Sequence, residues 1–308
     1  MKVLITGGAG FIGSHIVDKL IQDNFEVVVV DNLSSGCLEN LPNQNIKFYQ
    51  KDILTDELNE IFDFERPDYC IHLAAQTSVV KSTQNPVFDS QLNVVASIKL
   101  IELCKQYKIK KFIVSSTAAV YGTPKYLPVD ENHPTEPISY YGLSKLAMEK
   151  FIQLSGVPYV IFRFANVYGP RQASSQESGV VAIFNNKMLK NEPINIFGNG
   201  EQIRDFVYVE DIAQACVLAL ENESLINQVL NYSTNKGITV NELFDIMKEE
   251  YNYSLSVNYL PERDGDIKDS ILSNKKTIDL LEIAENTTIH SGIKKLKDYY
   301  TKREEVNA

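Results

Sequence analysis

Short apolar runs recur along the first half of the chain and alternate with segments of helical periodicity. The runs are "KVLIT" (2–6), "EVVVVD" (26–31), "IKFYQ" (46–50), "YCIHLAA" (69–75), "KKFIVSS" (110–116) and "YVIFRFAN" (159–166). They are rich in Val and Ile and apolar on both faces, as parallel strands covered by helices on both sides must be. Between them, 12–23, 55–62, 86–107 and 141–155 read as helices. Strand alternating with helix predicts an α/β fold built on a doubly wound parallel sheet.

After Asn166 the alternation loosens. "VVAIFNNKMLKNE" predicts a helix, "INIFG" a short strand and "NGE" a turn. "VEDIAQACVLALEN" predicts another helix, and "QVLNYS" a strand able to rejoin the sheet. "TVNELFDIMKEEY" opens on a Thr cap and continues with helical spacing. The expected organisation is a first domain over 1–166, rejoined by about 205–233. A smaller, partly interleaved C-terminal domain takes 167–204 and 234–308. The closing "KREEVNA" is expected to fray.

The chain's 308 residues are enough for one large or two intimate domains. A formal net charge of -10 argues against a general nucleic-acid binder, whose affinity rests on neutralising phosphates. It leaves room for an anionic small molecule held by local arginines. Cys37, Cys70, Cys104 and Cys216 form no CxxC and read as reduced core thiols of a cytosolic protein. No metal is expected. No apolar run approaches the ~20 residues of a membrane span, and "MKVLIT" runs straight into glycines, leaving no room for a signal-peptide core.

Those glycines carry the first chemical signal. "TGGAGFIGSHIVDKL" sets Gly7, Gly10 and Gly13 between a strand and an amphipathic helix. Small residues let the turn close and the backbone approach a pyrophosphate, and the helix N-terminus offers that anion free N–H groups. Asp31 ends the next strand, where a carboxylate can accept both ribose hydroxyls of NAD and repel the extra phosphate of NADP.

A second signal is Tyr-x-x-x-Lys, which occurs at Tyr107/Lys111, Tyr121/Lys125, Tyr141/Lys145 and Tyr232/Lys236. Pro124 disfavours a helix through the second match. The first straddles a helix end and the last crosses the turn "STNKG". Only Tyr141 and Lys145 lie in a clean helical segment, where i and i+4 share a face. A lysine ammonium near Tyr141, with the positive ring of NAD⁺, is expected to favour the phenolate and make it a base.

With the GxxGxxG turn, Asp31 and the Tyr141/Lys145 pair, the chain resembles the extended short-chain dehydrogenase/reductase family over most of its length. The resemblance implies a Rossmann-like fold and a cofactor set of Gly7, Gly10, Phe11, Ile12, Gly13, Asp31, Asn32, Asp52, Ile53, Leu73, Ala74, Ala75, Gln76, Asn93, Ser115, Tyr141 and Lys145. Within it, Asp52 and Ile53 of "KDI" serve the adenine, and Ala74, Ala75 and Gln76 of "HLAAQ" run along the nicotinamide side. Aligned on the family's S-S-[ST]-x-x-V-Y-G, "SSTAAVYG" makes Thr117 the hydroxyl that holds the reacting oxygen, giving a catalytic set of Thr117, Tyr141 and Lys145. Ser116 becomes a second contact, or a strand-end hydroxyl bonding the backbone.

Two blanks follow Thr117. Family members that dehydrate a nucleotide sugar carry Asp-Glu there, and many that decarboxylate a uronic acid carry Glu at the second position. Here the residues are Ala118 and Ala119, and a methyl group transfers no proton. The resemblance therefore implies NAD-dependent reversible epimerisation at C4 of a UDP-hexose through a transient 4-keto intermediate. The implied substrate contacts are Ser78, Ser116, Thr117, Tyr121, Tyr141, Asn166 of "FRFANVYGPRQ", Arg204 of "GNGEQIRDFVYVEDIA", Arg263 and Asp266 of "PERDGDIKDS", and Ser270. Arginine forks suit a diphosphate because they bind it bidentately. A serine at 270, where relatives place a bulky tyrosine, leaves room for an N-acetyl group, so UDP-GlcNAc/UDP-GalNAc are expected beside UDP-Glc/UDP-Gal. Helices 86–107 and 141–155 resemble those that relatives pair into a homodimer, or are core helices. The rival readings are a uronic acid epimerase or decarboxylase, and a non-catalytic NAD-binding regulator.

Overall fold

The computed structural model describes residues 1–41, 45–55, 57–173, 179–262 and 267–307. In chain order the elements are β1 (Lys2–Thr6), α1 (Phe11–Gln22), β2 (Glu26–Asp31), β3 (Ile46–Gln50), α2 (Leu58–Glu65), β4 (Tyr69–His72), α3 (Val79–Gln84), α4 (Pro86–Ser90), α5 (Ala96–Gln106), β5 (Lys111–Thr117), α6 (Tyr140–Ser155), β6 (Tyr159–Phe164) and β7 (Asn166–Tyr168). There follow α7 (Val180–Leu189), β8 (Ile194–Phe197), β9 (Ile203–Tyr208), α8 (Val209–Glu221), β10 (Gln228–Tyr232), β11 (Gly237–Thr239), α9 (Val240–Tyr251), β12 (Val257–Leu260), β13 (Asp269–Ser270), α10 (Lys275–Leu281) and α11 (Ile289–Asn307).

Seven parallel strands form the main sheet in the order β10-β6-β5-β4-β1-β2-β3. Val3, Leu4 and Ile5 of β1 are all fully buried, because the sheet carries a core on each face. One core joins β-strand side chains to Ile16, Val17 and Leu20 of α1 and to Ile212, Cys216 and Leu220 of α8. The other joins Leu4, Val28 and Phe112 to Phe62 of α2, Leu100 of α5 and Ile152 of α6. The strand order reverses between β1 and β4, and the crevice beyond the carboxyl ends at such a switch point is where open α/β sheets bind ligands.

Several features differ from the sequence reading. The expected helix 86–107 is α4 and α5 joined through a π-helical turn, Gln91–Val95, the kind of insertion that often marks functional ground. β9 pairs with β7, β11 and β13 in a small sheet outside the main one, so the chain rejoins the main body only with α8, which packs on α1, and β10. α10 also packs on β10 and α8, with the Thr277 hydroxyl donating to the Asn231 carbonyl. α11 continues through Asn307, so "KREEVNA" is mostly helical. Cys70, Cys104 and Cys216 are buried, but Cys37 is exposed and turned toward Glu39.

The smaller lobe has its own core, in which Phe184 and Met188 of α7 meet Leu243, Phe244 and Met247 of α9. α9 begins with a capping box: the Thr239 hydroxyl accepts from the Glu242 N–H, and the Glu242 carboxylate accepts from the Thr239 N–H.

Candidate active site

The glycine turn sits at the carboxyl end of β1. Gly10 precedes α1 in an extended conformation and supplies no side-chain cap, so the first N–H groups of the helix stay open to an anion. A Cβ on Gly13 would lie 2.1 Å from the Gly7 carbonyl oxygen, so only glycine lets α1 start this close to the turn. Asp31 ends β2 with its side chain fixed by two backbone amides: Ala9 N–H donates to Oδ2 at 2.9 Å and Leu33 N–H to Oδ1 at 2.8 Å. Asn32 donates to Asp52 Oδ2 at 2.9 Å, joining the ends of β2 and β3, and Ile53 is buried beside them. An open helix N-terminus, a cradle that a Cβ would fill and a fixed carboxylate fit the pyrophosphate and ribose of NAD.

At the reacting end, Thr117 closes β5 and caps the turn Ala118–Val120, its hydroxyl accepting from Ala119 N–H at 3.2 Å. α6 starts hard against this turn. Ser139 caps it by accepting from Gly142 N–H, and a Cβ on Gly142 would come within 2.5 Å of the Ala119 carbonyl oxygen. That close approach brings Tyr141 near Thr117, whose hydroxyl favours the ionised phenol. Lys145 is buried one turn later, with Met148 Sδ 3.8 Å from its Nζ.

Burial pushes the Tyr141 phenol up to about 12; Thr117 pulls against this and the negative charge of Asp89 adds to it. Burial pulls Lys145 down to about 8, opposed by Glu149 and then Asp89. Of the groups that act on Tyr141, Thr117 favours the phenolate and Asp89 opposes it. Lys145 is itself tuned by two carboxylates.

Two expected sugar contacts lie elsewhere. Ser116 is an interior residue of β5, paired across to Arg163 of β6, and it is buried with its hydroxyl donating to Glu149 Oε1. Tyr121 is 1% exposed, its hydroxyl donating to Asn231 Oδ1 at 2.6 Å and accepting from Arg163 at 2.9 Å. Both belong to a buried network in which Arg163 grips Glu149 through Nε (3.0 Å) and NH2 (2.6 Å). Gln76 and Asn93 are likewise turned inward. Asn93 Oδ1 accepts from Gln76 N–H at 2.8 Å and its Nδ2 donates to the Gln76 carbonyl at 3.0 Å; Gln76 Nε2 donates to Asp89 at 2.6 Å. They shape the loop after β4, which presents Leu73, Ala74 and Ala75 at the switch point, rather than facing it themselves. Ser115 is partly exposed beside β4, its hydroxyl donating to the His72 carbonyl at 3.4 Å.

Among the other substrate candidates, Ser78 caps α3, accepting from Lys81 N–H at 3.1 Å. Asn166 is exposed at the start of β7. Arg204 and Ser270 are brought together as register partners of β9 and β13, and the Arg204 guanidinium also donates to the Lys268 carbonyl at 3.1 Å. Arg263 and Asp266 lie outside the described residues. Sequence reasoning missed Asp89, Glu149 and Arg163. A carboxylate four residues after Lys145, on the same helical face, was the available signal for Glu149.

A doubly wound sheet with a phosphate-ready glycine turn and a Thr–Tyr–Lys set beyond its carboxyl edge defines a short-chain dehydrogenase/reductase. Residues 3–232 match the model of the NAD dependent epimerase/dehydratase family, and the chain belongs to that family. The UDP-glucose 4-epimerase of Mycolicibacterium smegmatis is 35% identical over 309 residues, covering 97% of this chain and 98% of that protein. Among solved structures, the UDP-glucose 4-epimerase of Thermotoga maritima with UDP-glucose superposes with a TM-score of 0.94 at 44% identity, over 99% of this chain and 100% of that one. A UDP-N-acetylglucosamine 4-epimerase from Methanobrevibacter ruminantium, in complex with UDP-N-acetylmuramic acid, superposes at 0.92 with 38% identity, each chain 98% covered.

Proposed function

We propose that this chain is an NAD-dependent UDP-hexose 4-epimerase. The observation that carries the reading is that the close packing of α6 on the turn after β5 sets Tyr141 and the buried Lys145 beside Thr117, followed by Ala118 and Ala119 where elimination of water would need carboxylates. Thr117 holds the C4 oxygen of the sugar, and Tyr141 as phenolate removes that hydroxyl's proton and later returns it. Bound NAD would supply the reversible acceptance of hydride from C4 and a positive ring that favours the phenolate. Once C4 is flat, the sugar must turn over within the pocket while its nucleotide end stays anchored. Arg204 and Asn166, with Arg263 and Asp266, are the residues we assign to that anchor. The main sheet carries the cofactor and the smaller lobe the nucleotide sugar.

Ser270, paired with Arg204, supports acceptance of N-acetylated as well as plain UDP-hexoses. Incubating the purified protein with a panel of nucleotide sugars, followed by chromatography, tests the reading. Interconversion of UDP-Glc with UDP-Gal and of UDP-GlcNAc with UDP-GalNAc, without added NADH, is expected. A requirement for stoichiometric NADH, or loss of CO2, rejects it. Ser270→Tyr should keep the plain pair and lose the N-acetylated pair.

We also propose a homodimer. Leu143, Phe151 and Leu154 form an exposed apolar stripe on α6, near exposed Val87 and Phe88 of α4 and Val95 of the π-turn. Spaced as one helical face, they suit a helix–helix interface; sedimentation should give the mass of two chains. No helix among the described residues is long and apolar enough to cross a membrane, and we place the enzyme in the cytosol.

A further inference from the structure

Two carboxylates are buried behind the reacting groups. Glu149, fully buried on α6, is satisfied on both oxygens: Arg163 donates to each, and Ser116 donates to Oε1. Asp89 on α4 is 1% exposed and satisfied on one side only. Its Oδ1 accepts from Gln76 Nε2 at 2.6 Å and Asn93 Nδ2 at 3.2 Å, while Oδ2 has no hydrogen-bond partner among the described residues. A buried charged oxygen without a donor is costly and rare.

The neighbouring element has the complementary shortage. α4 packs on α6. Asn93 Nδ2 also donates to Ser144 Oγ at 3.0 Å, tying the Asp89 end of the loop to the residue before Lys145. Lys145 Nζ has three N–H donors and, at 3.8 Å, the Met148 thioether, a weak acceptor. An ammonium short of acceptors and a carboxylate oxygen short of donors therefore share one buried region.

We propose that Asp89 is a positioning residue for the epimerase reaction, its unpartnered Oδ2 acting on the Lys145 ammonium as a buried counter-charge across the α4–α6 contact rather than as a hydrogen-bond partner. The assignment rests on the 4-epimerase reading above. The charges around the pair are accounted for element by element. On α6, Glu149 supports the ammonium, with its own charge shared by Arg163 of β6. On β4, His72 is held down to about 3 by burial and by Lys145, so it stays neutral. On β5, Thr117 favours the Tyr141 phenolate, and on α4 Asp89 opposes it. Asp89 thus makes both Lys145 and Tyr141 hold their protons more tightly, whereas Glu149 is among the influences on Lys145 and not on Tyr141.

The test is the pH profile of kcat/KM for NAD-loaded Asp89→Asn and Glu149→Gln. In D89N the two limbs of the profile, which report the ionisation of Tyr141 and of Lys145, should both move to lower pH by roughly half a unit, about threefold in proton affinity. In E149Q only the limb that reports Lys145 should move. D89E should return both limbs toward their original positions. A D89N profile lowered evenly at all pH values, with unmoved limbs, overturns the proposal and leaves Asp89 a purely structural role. If D89N does not fold, Asp89→Ser, which leaves space for water, is read in the same way. Tyrosinate absorbance titration of NAD-loaded D89N, with Y141F as the blank, needs no sugar. It should show Tyr141 ionising at lower pH even if the substrate assignment fails, and an unchanged titration overturns the proposal independently.

Discussion

The Thr117 hydroxyl at the end of β5 draws the Tyr141 phenol at the start of α6 toward its ionised form, against the burial that holds it protonated. One group holds an oxygen and the other exchanges a proton with it, so the two substitutions should differ in size. Tyr141→Phe should slow turnover by ~10³-fold, within the range for losing a general base. Thr117→Ala should cost ~10²-fold, as for one lost hydrogen-bond donor to a developing oxyanion. Both proteins should retain NAD, measured by absorbance after denaturation. Normal turnover by Y141F would remove the mechanism.

Gly13 provides a test of the cofactor end. Since its Cβ would sit 2.1 Å from the Gly7 carbonyl oxygen, Gly13→Ala must push α1 away from the turn. The protein should come through purification without NAD and bind added NAD at least tenfold more weakly. Calorimetric titration checks this.

Lys145 gives a stability prediction of known sign. Burial lowers it from its ordinary 10.5 to about 8. Between those values the unfolded chain holds a proton that the folded one has released, so stability attributable to this group rises with pH across that window. Below about 8 the buried charge is a burden. Lys145→Met should therefore abolish turnover yet melt at a higher temperature at neutral pH. A lower melting temperature would mean that the carboxylates around Lys145 more than offset its burial.

Glu65 behaves oppositely. Burial alone would raise its carboxyl, but Lys47, Tyr49 and Lys2 together hold it down to about 2. Lys47 Nζ lies at 2.8 Å and the Tyr49 hydroxyl at 2.6 Å, so α2, β1 and β3 meet on this one group. A depressed folded value contributes stability above the unfolded value of 4.5, lost as pH falls toward 2. Glu65→Gln should cost roughly 2–3 kcal/mol at neutral pH, and the difference should vanish near pH 2. Urea melts at both pH values decide it.

The main sheet was legible because its strands are buried on both faces and read as continuous Val/Ile runs. β11, β12 and β13 were not, being short and only half-covered, so no apolar pattern marks them. The glycine turn and Tyr141 were legible because their spacing is local. Ser116 and Tyr121 misled, since nothing in a run of hydroxyls tells which one the partner strand buries; that depended on Arg163 and Glu149, both distant in the chain. Asp89 was invisible for the same reason: its partner Gln76 reaches it only through the fold.

β10 flanks β6 at the edge of the main sheet, yet the chain makes it only after the excursion into the smaller lobe. During synthesis, roughly 60 residues separate the two strands, several seconds of translation at typical speeds. Throughout that interval the nascent β6 presents Val160, Ile161 and Phe162 along an open strand edge, a template for pairing with another chain. Expression of a fragment ending near residue 166 should for that reason yield aggregates rather than a free-standing cofactor-binding half, and the full chain should depend on holdase chaperones at the ribosome.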